Sequence, residues 1–259
     1  MTRRDHPPIG APCWTDLATS DVDGSRRFYG ELLGWEAEEP NPDFGGYFMF
    51  TRDGLPVAGA YGDMDGYPAD DRWKVYLASA DASATLEAAA ADGGSVLVGV
   101  STVADMGSQV VLADPAGAVI GGWEPDTFPG LVVLDEPGAP SWFELHTRDY
   151  HRALEFHRSV FGWTTEVISD ADEFRYTTAV DPDDGTQWCG VMEASWLPEG
   201  DPGAWTVYWE SADVDATVAH LLRLGGSVSD GPVDTPYGRM ATVADPTGAV
   251  FRLRTGPDA

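Results

Sequence analysis

The chain repeats itself. Trp14–Asp21 reads WTDLATSD and Trp142–Asp149 reads WFELHTRD, and Phe28, Gly34 and Trp35 return as Phe156, Gly162 and Trp163, all at an offset of 128. WKVYLASAD from Trp73 returns as WTVYWESAD from Trp205 at an offset of 132, and Gly93-Gly94 returns as Gly225-Gly226 at that same offset. ADPAGAV from Ala113 returns as ADPTGAV from Ala244, offset by 131. A repeat this long, with so little drift, means two copies of one domain rather than a solenoid of short units. The 259 residues give each copy enough chain to bury its own core. Function therefore has to be argued by comparing corresponding positions in the two halves.

Each half reads as two similar units. In the first, an alternating strand around Pro12–Thr19 precedes a helix, DVDGSRRFYGELLGW, with Val22, Phe28, Leu32 and Leu33 as apolar positions and Asp21 as its cap. Gly45-Gly46 and Asp53-Gly54 mark turns between the strands that follow. The second unit restarts at Trp73, and its helix, DASATLEAAAAD, ends at Gly93-Gly94. Strand–helix–three strands thus occurs twice per half. The pattern predicts an α+β protein of two tandem domains, residues 8–125 and 138–256, with 126–137 as the linker. Each domain is a pair of βαβββ units forming a curved mixed sheet with helices on its outer face.

The net charge of −28 repels phosphate backbones and anionic membranes, so neither nucleic acid nor a membrane is an expected partner. The opening MTRRDHPPIGAP has no apolar stretch behind its arginines, and the expected location is the cytoplasm. Cys13 and Cys189 are not repeat equivalents and read as two buried thiols.

The paired βαβββ units, the D-x-x-x-[AS]-x-x-F-[YH]-x-x-[LV]-[LF]-G-W helix and the DPxG turn before the last strand resemble the glyoxalase/bleomycin-resistance/extradiol-dioxygenase (vicinal oxygen chelate) superfamily. The resemblance extends to its tandem two-domain actinobacterial branch and covers nearly the whole chain, twice. It implies a metal held in a cup of the sheet by a His opening the first strand, often a His opening the restarting strand, and a Glu late in the last strand. Imidazole and carboxylate suit a divalent cation with positions left open for substrate.

Counting seven residues back from each helix-capping Asp, and seven on from the Asp of DPxG, places those positions at Trp14, Lys74 and Gly121 in the first half and at Trp142, Thr206 and Arg252 in the second. None is a metal ligand, so the sequence predicts no metal and no cofactor. Strand alternation supports the register. Phe143/Leu145, Trp73/Val75/Leu77 and Phe251/Leu253 suit a helix-covered face, which turns Trp142, Glu144, His146, Lys74, Tyr76, Thr206, Tyr208, Arg252 and Arg254 toward the cups.

Two kinds of candidate stand out. Glu144 and His146 are the candidate catalytic pair, a general acid and base, set against a plainer reading in which a buried Glu144 pairs with Arg252 and His146 is simply hydrogen-bonded. As residues i and i+2 of one strand they read as neighbours rather than a converging pair. Asp16 is the first-half equivalent of Glu144, and Ala18 replaces His146, so a reactive half would be the second. The aromatic candidates are Trp14 and Trp142, with Tyr76, Tyr208, Asp16 and Arg252 as the remaining ligand-binding positions. Gly121 leaves space across from Trp14. These aromatics either grip a flat ligand or only fill the cup. Trp35, Trp163, Trp73 and Trp205 read as core, and His151, His157 and His220 as surface or half-buried helix residues.

The expected function is a glyoxalase-like protein without the usual metal ligands. It would bind a planar aromatic or polycyclic metabolite as an accessory or sequestering protein of secondary metabolism, a context that only the resemblance supplies. The alternative is a cofactor-independent enzyme using His146 and Glu144 for proton transfer. A metal-dependent lyase or dioxygenase stands behind both. Pairing as a homodimer or with a partner enzyme is left open, as is a surface that binds another protein over two filled cups.

Overall fold

The computed structural model describes residues 2–64 and 68–256. Ahead of the first repeat, β1 (Thr2–Arg3) stands apart from the two large sheets. The first half runs β2 (Pro12–Ala18), α1 (Val22–Leu33), β3 (Glu36–Ala37), β4 (Phe48–Arg52) and β5 (Leu55–Tyr61). It restarts as β6 (Arg72–Ala78), α2 (Ala82–Ala91), β7 (Ser95–Val103), β8 (Gly107–Ala113) and β9 (Val119–Pro125). After β10 (Val133–Leu134), the second half gives β11 (Pro140–Thr147), α3 (Tyr150–Phe161), β12 (Thr164–Ala171), β13 (Phe174–Val180) and β14 (Gln187–Glu193). It closes with β15 (Ala204–Glu210), α4 (Val214–Arg223), β16 (Ser227–Thr235), β17 (Gly238–Ala244) and β18 (Val250–Thr255). No helix among the described residues is long and apolar enough to cross a membrane.

Each half builds one eight-stranded sheet, and the spatial orders β3-β4-β5-β2-β6-β9-β8-β7 and β12-β13-β14-β11-β15-β18-β17-β16 are equivalent strand for strand. The sheets are mixed: β2–β5, β6–β9, β11–β14 and β15–β18 are parallel, and the other pairs antiparallel. The central pairs set the site, opposing Trp14 to Tyr76 and Asp16 to Lys74, and Trp142 to Tyr208 and Glu144 to Thr206. Both ladders shift register at the same place, between Pro12 and Trp14 and between Pro140 and Trp142. A bulge there aims the tryptophan that follows it.

The repeated sequence signals have local causes. Gly34 and Gly162 end their helices in the left-handed conformation that a side chain resists. The Asp of each DPxG turn accepts three backbone amides on one oxygen, Asp114 from Ala116, Gly117 and Ala118 and Asp245 from Thr247, Gly248 and Ala249. That aspartate closes the turn into the last strand.

The core faces of the two sheets pack against each other, while each helix keeps an exposed side. Trp209 meets Trp35 at 4.8 Å and Trp73 at 5.2 Å between ring centres, across the seam. Trp35, Trp73, Trp163 and Trp205 are all buried, as core residues should be. His157 corrects the sequence expectation: it is fully buried, stacked 4.6 Å from Trp163. Its helix position faces the other half of the chain, which one repeat read alone does not show. The segment between the sheets is ordered against the first half. Leu131 donates its amide to the Cys13 carbonyl at 2.7 Å, and Val133–Leu134 pairs with Thr2–Arg3.

Candidate functional site

The second cup is organised around Glu144. Alternation along β11 sends Phe143 and Leu145 into the core and Trp142, Glu144 and His146 to the opposite face. Glu144 is buried, yet each carboxylate oxygen is bonded: Oε1 accepts from Tyr208 at 2.7 Å and meets His146 Nε2 at 2.5 Å, and Oε2 accepts from Tyr176 at 2.7 Å. Arg252 donates to the Tyr208 hydroxyl and lies 3.6 Å from Glu144 Oε1. Burial pushes the Glu144 carboxyl up, but His146, Tyr176 and Arg252 outweigh it and bring the group down from its ordinary 4.5 to about 2. The phenols facing this fixed negative charge are pushed up well above their ordinary value, burial being the larger cause.

Glu144 and His146 are therefore a converging pair, contrary to the reading of neighbours on one strand. The backbone spacing is as expected; it is the long Glu side chain that reaches across it. With Nε2 on the carboxylate, His146 keeps Nδ1 for another partner, and its side chain is 12% exposed. The plainer alternative is partly realised too, because Arg252 sits beside Glu144 at ion-pair distance. Trp142 stands on the same face, half-buried, with its indole N–H donated to Tyr176 at 2.9 Å.

The first cup has the same frame and a different filling. Trp14 donates to Asp16 Oδ1 and to the Tyr47 hydroxyl, both at 2.8 Å, and Tyr47 donates to the same Oδ1 at 2.7 Å. Lys74 donates to Tyr61 at 3.0 Å, and Tyr76 to Gln109 at 3.2 Å. Trp14, Asp16 and Tyr76, expected to line a ligand site, are all buried, and Phe128 presses edge-on to the Trp14 ring at 4.9 Å. The space expected at Gly121 holds the Tyr76 ring, which a Cβ there would meet at 2.1 Å. Burial raises the Asp16 carboxyl, with Lys74 and the hydrogen bonds of Tyr47 and Trp14 opposing it only in part. Identical folds thus hold one ionised carboxylate that is fully bonded and another whose charge is disfavoured.

Sequence reasoning missed Tyr47 and Tyr176. They are repeat equivalents, offset by 129, and each hydroxyl lies over an equivalent glycine, Gly59 or Gly190, where a Cβ would meet it at 1.9 Å. The signal was available: a tyrosine preserved in both halves, with a preserved glycine on the next strand. It was hidden because the flanking residues, GGYFMF and FRYTTA, share little else. Trp196, in the loop after β14, was also missed; it lies 5.8 Å from His146 between ring centres.

The same fold occurs in known proteins. Residues 140–253 match the Glyoxalase/Bleomycin resistance protein/Dioxygenase superfamily, and residues 14–120 match a glyoxalase-like domain. The anthracycline biosynthesis protein DauV of Streptomyces sp. is 37% identical, with 94% of this chain and 92% of DauV covered. CFP32 of Mycobacterium tuberculosis, provisionally named a glyoxylase, is 34% identical over 98% of this chain and 97% of its own. Among solved structures, the Mn(II)-bound glyoxalase from Novosphingobium aromaticivorans superposes with a TM-score of 0.63 at 17% identity, covering 100% of this chain and 86% of the other. The chain belongs to the glyoxalase/bleomycin resistance protein/dioxygenase superfamily, as a tandem pair of its domains.

Proposed function

We propose that this protein binds a planar aromatic metabolite in its second cup without a metal, as an accessory or sequestering protein of secondary metabolism; its relative DauV is named for anthracycline biosynthesis. The observation that carries this reading is the difference between the cups. The first spends its aromatic and polar groups on one another. The second keeps Trp142, His146 and Arg252 partly exposed around a fully bonded Glu144. Apolar walls with a few placed polar groups suit a flat organic molecule.

The residues do not fit a divalent cation. Trp142, Thr206 and Arg252 stand at the family's ligand positions in the second half, and Trp14, Lys74 and Gly121 in the first. Among the described residues there is no group of three or more His, Cys, Asp or Glu able to hold a metal. A protein metal site ordinarily needs at least three ligands. In the second cup, both oxygens of Glu144 are already engaged, and a guanidinium lies 3.6 Å from one of them.

One observation favours a second reading. A carboxylate 2.5 Å from an imidazole orients that ring, the arrangement of a general base. His146 would then move a proton on the bound metabolite. Titration of tryptophan fluorescence against polycyclic and quinone compounds separates the readings. For a binding protein, Trp142→Ala weakens affinity, His146→Ala leaves it largely intact, and no compound is converted. Conversion of a bound compound that disappears with His146→Ala supports the enzyme instead. If no planar compound binds, the proposal fails.

A further inference from the structure

Trp196 is the most exposed large apolar side chain among the described residues, at 60%. Its backbone is nonetheless held on both sides. Arg148 donates to the Ser195 carbonyl at 2.7 Å and also to the Leu197 carbonyl, the Ala194 amide donates to Thr147 at 2.8 Å, and the Leu197 amide donates to Ala194 at 3.1 Å. A loop pinned this closely that still leaves an indole in water presents a preformed apolar surface, with little ordering to pay for when something covers it. That surface is next to the second cup, edge-on to His146 with 72° between the rings. On the same face of the sheet, opposite Tyr208, Arg252 places one donor on the Tyr208 hydroxyl, while its Nε is buried with no hydrogen-bond partner among the described residues. An unpaired buried donor favours a ligand that brings an acceptor.

Resting on the binding role proposed above, we infer that Trp196 is the outer wall of the second cup and stacks on a fused-ring aromatic ligand. The ligand also carries a ring oxygen, a carbonyl or phenolate, that Arg252 holds. Stacking supplies affinity for any flat ring system, and the guanidinium selects oxygenated rings from plain hydrocarbons.

The test uses 2-hydroxyanthraquinone and isothermal titration calorimetry on the full chain, with thermal midpoints recorded for every variant. Trp196→Ala should weaken binding about tenfold with an unchanged midpoint, and Trp196→Phe should recover most of the loss. Arg252→Met should weaken this probe by about tenfold or more. If Trp196→Ala and Arg252→Met bind like the wild type while Trp142→Ala does not, the inference is overturned and the cup remains a binding site. If the wild type binds neither this probe nor any other planar compound, the inference and the proposed function fall together. Should Trp196→Ala lower the midpoint as well as the affinity while Trp196→Phe restores only the midpoint, the indole is structural and the inference is again overturned.

Discussion

The Tyr29 hydroxyl donates to Asp245 Oδ2 at 3.0 Å, tying the first helix of one half to the DPxG turn of the other. Trp73 completes a triangle by donating its indole N–H to the same hydroxyl at 3.3 Å. The repeat equivalents at the opposite seam are His157, Asp114 and Trp205. Their rings are arranged alike: Tyr29 stacks on Trp35 and meets Trp73 edge-on, as His157 stacks on Trp163 and meets Trp205. The polar ends differ. His157 Nε2, Asp114 Oδ2 and Trp205 Nε1 are buried without hydrogen-bond partners among the described residues. An imidazole is shorter than a phenol and does not reach where the Tyr29 hydroxyl reaches.

Tyr29→Phe should therefore destabilise the protein by about 1–3 kcal/mol, because it leaves both Asp245 Oδ2 and Trp73 Nε1 without their partner in the core. Urea unfolding at neutral pH gives the value. A cost near zero would mean that this bond does not join the halves energetically.

His157→Tyr should do the reverse and raise the unfolding midpoint, by placing a hydroxyl within reach of the two polar ends that remain, Asp114 Oδ2 and Trp205 Nε1. It should also change the pH dependence. Burial lowers His157 from its ordinary 6.5 to about 4, the hydrogen bond to Ala153 opposing this only in part. Between those values the unfolded chain is protonated and the folded chain is not. Wild-type stability is thus intact above pH 6.5 and declines as pH falls toward 4, by about 3 kcal/mol in all. The variant should lack that decline. Parallel stability curves for the two proteins over this range would refute the assignment.

How much of this was legible in the sequence depends on range. The domain repeat, the sheet faces and the core tryptophans follow from periodicity and from signals such as DPxG, whose backbone chemistry is local. The placement of Trp142, Glu144 and Arg252 on one face follows from alternation. What was hidden depends on side-chain reach and on contacts between halves: Glu144 bending to His146, Tyr47 and Tyr176 reaching the carboxylates across an intervening strand, and His157 buried by the other domain. The closing of the first cup by Phe128 also lay beyond periodicity, because that residue comes from the segment between the domains.

Glu144→Gln should cost about 1–3 kcal/mol at neutral pH, since an amide has one acceptor oxygen where the carboxylate receives Tyr208, Tyr176 and His146. Because the folded carboxyl is held near 2 against an ordinary 4.5, its contribution is complete above pH 4.5 and fades as pH falls toward 2. The deficit of the variant should shrink over that window. Asp16→Asn should behave oppositely. The Asp16 carboxyl is raised by burial, so its charge opposes folding as pH rises through the folded value, and the variant should gain on the wild type in that direction. Chemical denaturation across acid pH decides both.

Divalent cations should leave the protein indifferent. An ion that binds only the folded state stabilises it, by about 2.7 kcal/mol at a free concentration a hundredfold above its dissociation constant. The positions counted from the helix caps and the DPxG turns as expected ligand sites hold Trp14, Lys74 and Gly121, and Trp142, Thr206 and Arg252, none of them a His or a carboxylate. The free carboxylate that a displaced site would need is occupied at Glu144 by two phenols and an imidazole. Thermal midpoints measured after dialysis against a chelator, and again with excess Mn2+ or Zn2+, should coincide. A rise of several degrees with either ion, lost in a Glu144→Gln or His146→Ala variant, would show that the carboxylate exchanges its protein partners for a metal and would revive the metal-dependent lyase or dioxygenase reading.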